Sequence, residues 1–280
     1  MSTGLRFAEQ AVLASVADAP GSIKALRAAG AESFKTLGFP TTQNEDWHYT
    51  SVQAIATAQF TPAIDRAPSA TVTAESLTPF TFGADWPLVV FVNGRFAPQL
   101  STVSALPAGI RVLDMATASA QEPELLGMFL GTAAPADRDG FTALNAAFAG
   151  EGTFIHVAKE MVIEHPIHVL HVMDEAGAGL MSHPRHVMVV ERHAKASVVE
   201  SYVSLGDVSY FTNSVVEAFV EDGATLNVVR IQREARSAYH VGTVEARQGR
   251  DSHFLTFTFQ TGGALSRSNV YTVLGGEGCG

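Results

Sequence analysis

The sequence predicts a mainly β fold: a β-helix, or a closely related stacked β solenoid, preceded by a helical N-terminal region. Three observations carry this. Charged residues make up only 16% of the 280, while Val, Thr, Phe and Gly are frequent, a composition that suits strands joined by many turns. From Gly152 onward almost every segment reads as a short strand bounded by turn residues. This part of the chain also carries a loose internal repeat. Val-Glu-Ala stands at 216–218 and again at 244–246; Ala194, Val198 and Val199 map onto Ala224, Val228 and Val229; Asp222-Gly223-Ala224 and Arg250-Asp251-Ser252 occupy matching turns. Self-similarity at such a period, with no helix inside the unit, marks stacked coils that bury their inward side chains on one another. A β-sandwich is the alternative topology.

Taken in order, residues 1–85 form a helical N-terminal region and linker. Leu5, Ala8, Val12 and Val16 recur at helical spacing. Asp18-Ala-Pro-Gly21 breaks the pattern, and Ser22 can cap a second helix with Ile23, Leu26, Phe34 and Leu37 on its apolar side. Gly30 weakens that helix and Gly38-Phe39-Pro40 ends it. In "TTQNEDWHYT" (41–50), Thr41 or Thr42 followed by Glu45 resembles a capping box, with Trp47 and Tyr49 as aromatic anchors. Residues 60–85 show no clear period.

Residues 86–150 hold a hairpin and short helices that lead into the core. In "LVVFVNGRF" (88–96) an apolar β run meets Asn93-Gly94, a pair that tolerates the positive φ angles of a two-residue turn. Short helices are expected around Glu122–Leu130 and 142–150. Residues 151–280 form the β-helix core.

Composition narrows the function. The net charge of −10 disfavours nucleic acid and anionic membrane as partners. A single cysteine, Cys279, rules out a disulfide framework within the chain. No secretory leader and no long apolar span are visible, so a cytoplasmic location is expected.

Candidate chemistry is sparse. Nine of the ten histidines lie between 156 and 253. His165-Pro-Ile-His168-Val-Leu-His171 invites a metal reading, but on a strand only His165 and His171 share a face, and they stand too far apart for one ion. His183 and His186 fall on opposite faces of a strand. Which of these residues, if any, meets metal is unknown from the sequence. Cys279 cannot hold an iron–sulfur cluster by itself. Phosphate-loop and nucleophile-elbow motifs are absent. Glu217 and Glu245 can form a carboxylate ladder, although with Arg230, Arg233 and Arg247 nearby it reads better as a solvated charged face. No catalytic and no cofactor-binding residue is assigned. A β-helical polysaccharide-active enzyme and a histidine-based metal-binding module are the alternatives to a scaffold.

Several segments together resemble the SufB/SufD family of iron–sulfur cluster assembly proteins, on its SufD side. They are "GFPTTQNEDWHYT", "VVFVNGRFAPQLS", "ALNAAFAGEGTFIHVAKEMVIEHPIHV", "HPRHVMVVERHAKASVVESYVS", "YFTNSVVEAFVEDGATL" and "GRDSHFLTFTFQTGGALSRSNVYTVLGGEG". The resemblance implies a right-handed parallel β-helix. It implies a non-catalytic scaffold subunit of the SUF system that pairs with a SufB-like paralogue and is served by a SufC-like ATPase, with a homodimer as a further state. It implies that the cluster belongs to the assembled complex. It also implies that the family's cluster-associated Cys and His positions, and its ATPase-docking segment, lie beyond Gly280, so no such residue is carried onto this chain.

Overall fold

The computed structural model describes residues 4–17, 19–66, 70–103 and 106–280; Asp18, in the expected break between the first two helices, lies outside them. The helical region opens with α1 (Leu5–Val16) and α2 (Gly21–Leu37). The face expected from spacing is not the one α1 buries. Leu5, Val12 and Val16 are exposed, while Phe7, Ala11 and Ala14 are buried. The helix is apolar on two sides, and the Phe7 ring decides between them by packing edge-on against Phe39, with centroids 5.0 Å apart. α2 starts at Gly21 after Pro20, so Ser22 lies inside the first turn and caps nothing. Leu37 is exposed as well.

Gly30 is required rather than merely tolerated. A Cβ there would sit 2.3 Å from Ala147 N and 2.7 Å from Ala143 O. Those atoms belong to α7 (Gly140–Ala147), the buried helix on which α2 lies, capped by the Asp139 carboxylate. The capping box expected at 41–45 is replaced by a different device. Asn44 precedes a single 3₁₀ turn, Glu45–Trp47, and its Oδ1 accepts from Thr41 N at 2.8 Å. Trp47 is buried; Tyr49 is not an anchor, being 96% exposed.

Between these helices and the core lie α3 (Gln53–Thr57), β1 (Thr61–Pro62), α4 (Ala74–Leu77), β2 (Leu88–Val92), β3 (Arg95–Phe96), β4 (Ile110–Asp114), α5 (Met115–Gln121) and α6 (Pro123–Phe129). Among its described residues the stretch without a period holds β1, the short helix α4, opened by a reciprocal Thr73–Ser76 box, and two 3₁₀ turns, Ala63–Asp65 and Thr78–Phe80. The hairpin turns as expected, with φ of 51° at Asn93 and 77° at Gly94.

The solenoid, of about four turns, is built from β5 (Thr153–Val157), β6 (Ile167–Met173), β7 (Leu180–Ser182), β8 (Arg185–Val190), β9 (Lys195–Ser204), β10 (Phe211–Val220), β11 (Thr225–Arg233), β12 (Tyr239–Gln248), β13 (His253–Thr261) and β14 (Leu265–Leu274). One sheet stacks β5, β8, β10, β12 and β14 in parallel, and β4 closes it antiparallel to β5. The other stacks β2, β6, β9, β11 and β13 in parallel, with β3 antiparallel at its closed end. The repeat seen in the sequence is the register of these sheets: Val216, Glu217 and Ala218 pair with Val244, Glu245 and Ala246, and Val198 and Val199 with Val228 and Val229.

Alternation sorts the side chains. Val190, Ala196, Val198, Ala218, Leu226, Val228 and Ala246 point inward and meet in one core, each large apolar group removed from water contributing roughly 1.5–3 kcal/mol. The corners repeat as faithfully as the strands. Each holds one residue in the left-handed region: Glu160, His193, Gly223, Asp251 and Gly278, with φ between 53° and 73°. The backbone N–H of the first four donates to a corner carbonyl of the following coil, on Arg192, Asp222, Arg250 and Glu277 in turn.

Candidate functional site

The polar groups of the core lie at the inward positions of successive coils, where the sheets carry His171, Glu200, Tyr202, Arg230 and His186. Three rings stack across three coils. His171 lies parallel to Phe91 at 4.7 Å on one side and to Tyr202 at 4.6 Å on the other. Glu200 pairs with Arg230 one coil on, at 3.0 Å, and the fit depends on a glycine: a Cβ at Gly242 would lie 2.0 Å from Arg230 Nη1. His240 Nδ1 and Glu234 Oε2 form a second buried contact at 2.8 Å.

Within this cluster His171 and His186 meet through their Nε2 atoms at 3.2 Å. The backbone N–H of Thr153 donates to His186 Nδ1 at 3.2 Å, which places the His186 proton on Nε2, facing His171. A metal ion at that nitrogen would have to displace a proton already shared between the rings. Burial pushes the His186 imidazole down to about 4, with Glu200 opposing, and pushes His171 well below the ordinary range with help from the adjacent rings and Arg230. Both are neutral at pH 7. Among the described residues no group of three or more His, Cys, Asp and Glu is arranged to hold a metal ion.

The remaining histidines are scattered. His165 precedes β6 and is exposed, so it shares no strand face with His171. His168 points to the opposite side from His171 and meets Ser201 Oγ at 2.8 Å. His183 lies in the short link between β7 and β8, stacked on Phe148 at 4.8 Å, and burial pushes it down to about 3.

Glu217 and Glu245 are ladder neighbours, as the repeat required, but they do not form a solvated face. Glu217 is fully buried and accepts from Arg185 Nε at 2.8 Å and from the backbone N–H of Gly131, Ala133 and Ala134 at 2.8–3.0 Å. Glu245 pairs with Arg138 at 2.7 Å. The loop after α6 covers this flank of the solenoid, a contact that strand alternation cannot reveal. Of the nearby cations, Arg247 donates to Thr132 O and the Arg233 guanidinium stacks on Phe80 at 4.9 Å. Cys279 Sγ donates to the carbonyls of Gly276 and Gly249 at 2.9 and 3.1 Å. "TTQNEDWHYT" clamps the far end of the solenoid: Arg267 of β14 stacks over Trp47 at 4.0 Å and donates to Thr50 Oγ1 at 3.1 Å. Glu217, Glu245 and Trp47 are thus engaged in holding coils or layers together, whereas Tyr49 is not.

What the sequence did not single out is the Glu200–Arg230 pair. The signal was present, since the two residues share the repeat offset that maps Val198 onto Val228.

Comparison with known proteins decides the family. The family model described as the SufBD protein N-terminal region matches residues 7–169, and that of the SUF system FeS cluster assembly SufBD core domain matches residues 171–280. The chain belongs to the SufBD family. The two matches meet inside β6, so the family's boundary falls within the solenoid rather than at its first strand. Relatives include an iron–sulfur cluster assembly SufBD family protein of Synechocystis, 26% identical over 87% of this chain and 55% of its own length. The iron–sulfur cluster assembly protein SufD of Escherichia coli is 26% identical over 86% of this chain and 53% of its own. Protein ABCI7, chloroplastic, of Arabidopsis thaliana is 24% identical over 89% and 52%. The chain therefore spans about half the length of these relatives. Among the described residues no helix is long and apolar enough to cross a membrane.

Proposed function

We propose that this chain acts as a non-catalytic scaffold subunit in SUF iron–sulfur cluster assembly, pairing with a SufB-like paralogue and served by a SufC-like ATPase in the cytoplasm. The observation that carries this is the run of family matches from residue 7 to residue 280 on a β-solenoid. One feature supports it: buried Arg185 pairs with Glu217 and buried Glu200 with Arg230 across adjacent coils, which suits a rigid support. The cluster is cargo of the complex. The polysaccharide reading needs free acids on an outer face, whereas Glu217 already accepts four hydrogen bonds.

Co-expression of the tagged chain with SufB-like and SufC-like proteins tests this. The expected result is stoichiometric capture of the SufB-like chain, with the ATPase captured weakly or not at all unless the chain is extended to family length. Absence of any SufB-like capture, together with turnover of a substrate by the purified chain, overturns it.

A further inference from the structure

The turn between β2 and β3 joins two residues whose pairing is a chemical hazard. In Asn-Gly a backbone nitrogen attacks the preceding side-chain amide with unusual ease, because glycine has no Cβ to obstruct the approach. The fold nevertheless requires the pair. Asn93 and Gly94 both sit at positive φ, 51° and 77°, the conformation that favours this dipeptide. Packing adds a second demand at Gly94, where a Cβ would lie 2.8 Å from the Cβ atoms of Ala63 and Ser182.

Both polar atoms of the Asn93 side chain are held by one residue. Nδ2 donates to Asp174 Oδ1 at 2.6 Å, and Oδ1 accepts from Asp174 N at 3.0 Å. Asp174 is fixed in turn. Its Oδ1 also accepts from Ala176 N at 2.8 Å, capping the 3₁₀ turn Glu175–Gly177, and its Oδ2 accepts from Thr71 Oγ1. Gly177 lies close against the amide, since a Cβ there would stand 2.8 Å from Asn93 Oδ1. Asn93 N donates to Val172 O at 2.8 Å, and the residue is buried.

We propose that Asn93-Gly94 is a latent deamidation site that the Asp174 clamp holds shut, so that the bond reacts only when the hairpin opens. In the reaction Gly94 N bonds to Asn93 Cγ, its proton departs with Nδ2 as ammonia, and water opens the resulting succinimide to aspartate or isoaspartate. Ring closure turns Cγ toward Gly94 N and releases Nδ2. It therefore breaks the bond through Nδ2 and displaces the one through Oδ1, and the first of these, made to a carboxylate, is of the stronger kind. The product does not fit back. Its new carboxylate would face that of Asp174, and like charges buried together are unfavourable; isoaspartate also lengthens the backbone of a two-residue turn. A local opening of the hairpin is thereby recorded as a lasting change in the chain. The proposal is independent of the scaffold reading, since it rests on the turn and its clamp alone.

Peptide mapping by mass spectrometry tests it, following conversion of the Asn93 amide to acid in the full chain at mildly alkaline pH. The folded chain is expected to convert at least about tenfold more slowly than the chain unfolded in urea, and folded Asp174→Ala about tenfold faster than the parent, the scale set by one hydrogen bond to a charged group. Arg267→Ala loosens a distant contact and should leave the Asn93 rate unchanged, which separates the clamp from a general loss of stability. If Asp174→Ala does not fold, Thr71→Val takes its place, with a severalfold rise expected. Equal rates in the folded and unfolded chain, a folded clamp variant that reacts no faster than the parent, or an equal rise in Arg267→Ala overturns the proposal.

Discussion

Arg185 and Glu217 meet at 2.8 Å with neither side chain accessible to solvent. The pair joins adjacent coils and also anchors the loop after α6, because Arg185 donates to Ala134 O and Asn145 Oδ1 while Glu217 holds three backbone N–H groups. Removing one partner strands the other in the core. Glu217→Ala is therefore expected to cost about 3–5 kcal/mol, the range for breaking a buried pair. Urea unfolding checks this; a loss under 1 kcal/mol would mean that the pair is hydrated.

Gly30→Ala sets two effects against each other. Helix propensity favours alanine by about 1 kcal/mol. Packing opposes it, because the new methyl would collide with Ala147 N and Ala143 O, which are backbone atoms and cannot step aside. Net destabilisation of about 1–3 kcal/mol is expected. A raised midpoint in thermal unfolding would show that α2 and α7 can separate cheaply.

Acid should weaken the fold. Burial pushes His168 and His186 down to about 4 and His183 to about 3, against an ordinary value of 6.5. Between those values the unfolded chain binds protons that the folded chain refuses, so stability is full above pH 6.5 and falls as pH drops toward 4. The urea midpoint should accordingly decline from pH 7 to pH 5 with an unchanged slope. A flat profile would place these rings in contact with water.

Arg267→Ala removes the stack on Trp47 and the bond to Thr50. A loss of about 1–2 kcal/mol is expected, with a change in Trp47 emission as its face becomes exposed. An unchanged spectrum would mean that the N-terminal region does not grip β14 in solution.

Anaerobic reconstitution of the chain alone with iron and sulfide should leave no stable chromophore after desalting, since it offers one thiol and stable clusters want about four such ligands. A stoichiometric cluster that disappears in Cys279→Ser would overturn this.

The sequence made the solenoid legible because a parallel stack converts three-dimensional register into a fixed offset along the chain. Val216 above Val244 is readable as spacing, and so was the turn at Asn93-Gly94. The α1 face was not readable. Leu5, Val12 and Val16 are as well spaced as Phe7, Ala11 and Ala14, and only contact with Phe39 separates them. The fate of Glu217 was hidden for the same reason: its partners at 131–134 are distant, irregular and backbone. The histidines were not readable because a strand over 165–171 puts His165 and His171 on one face, whereas His165 precedes β6 and the fold brings His171 to His186.

The corners carry a consequence for how this protein can change length. Each left-handed residue from Glu160 to Asp251 ties its own coil to the next through one backbone bond, which works only if every lap returns in phase. A lone inserted residue in a strand would throw the inward and outward sides out of step. A whole additional lap would not, and it would shift everything beyond it by one strand spacing, about 4.8 Å. Heredity can therefore edit this molecule in whole laps, and the distance between whatever its two ends hold is counted rather than continuously tuned.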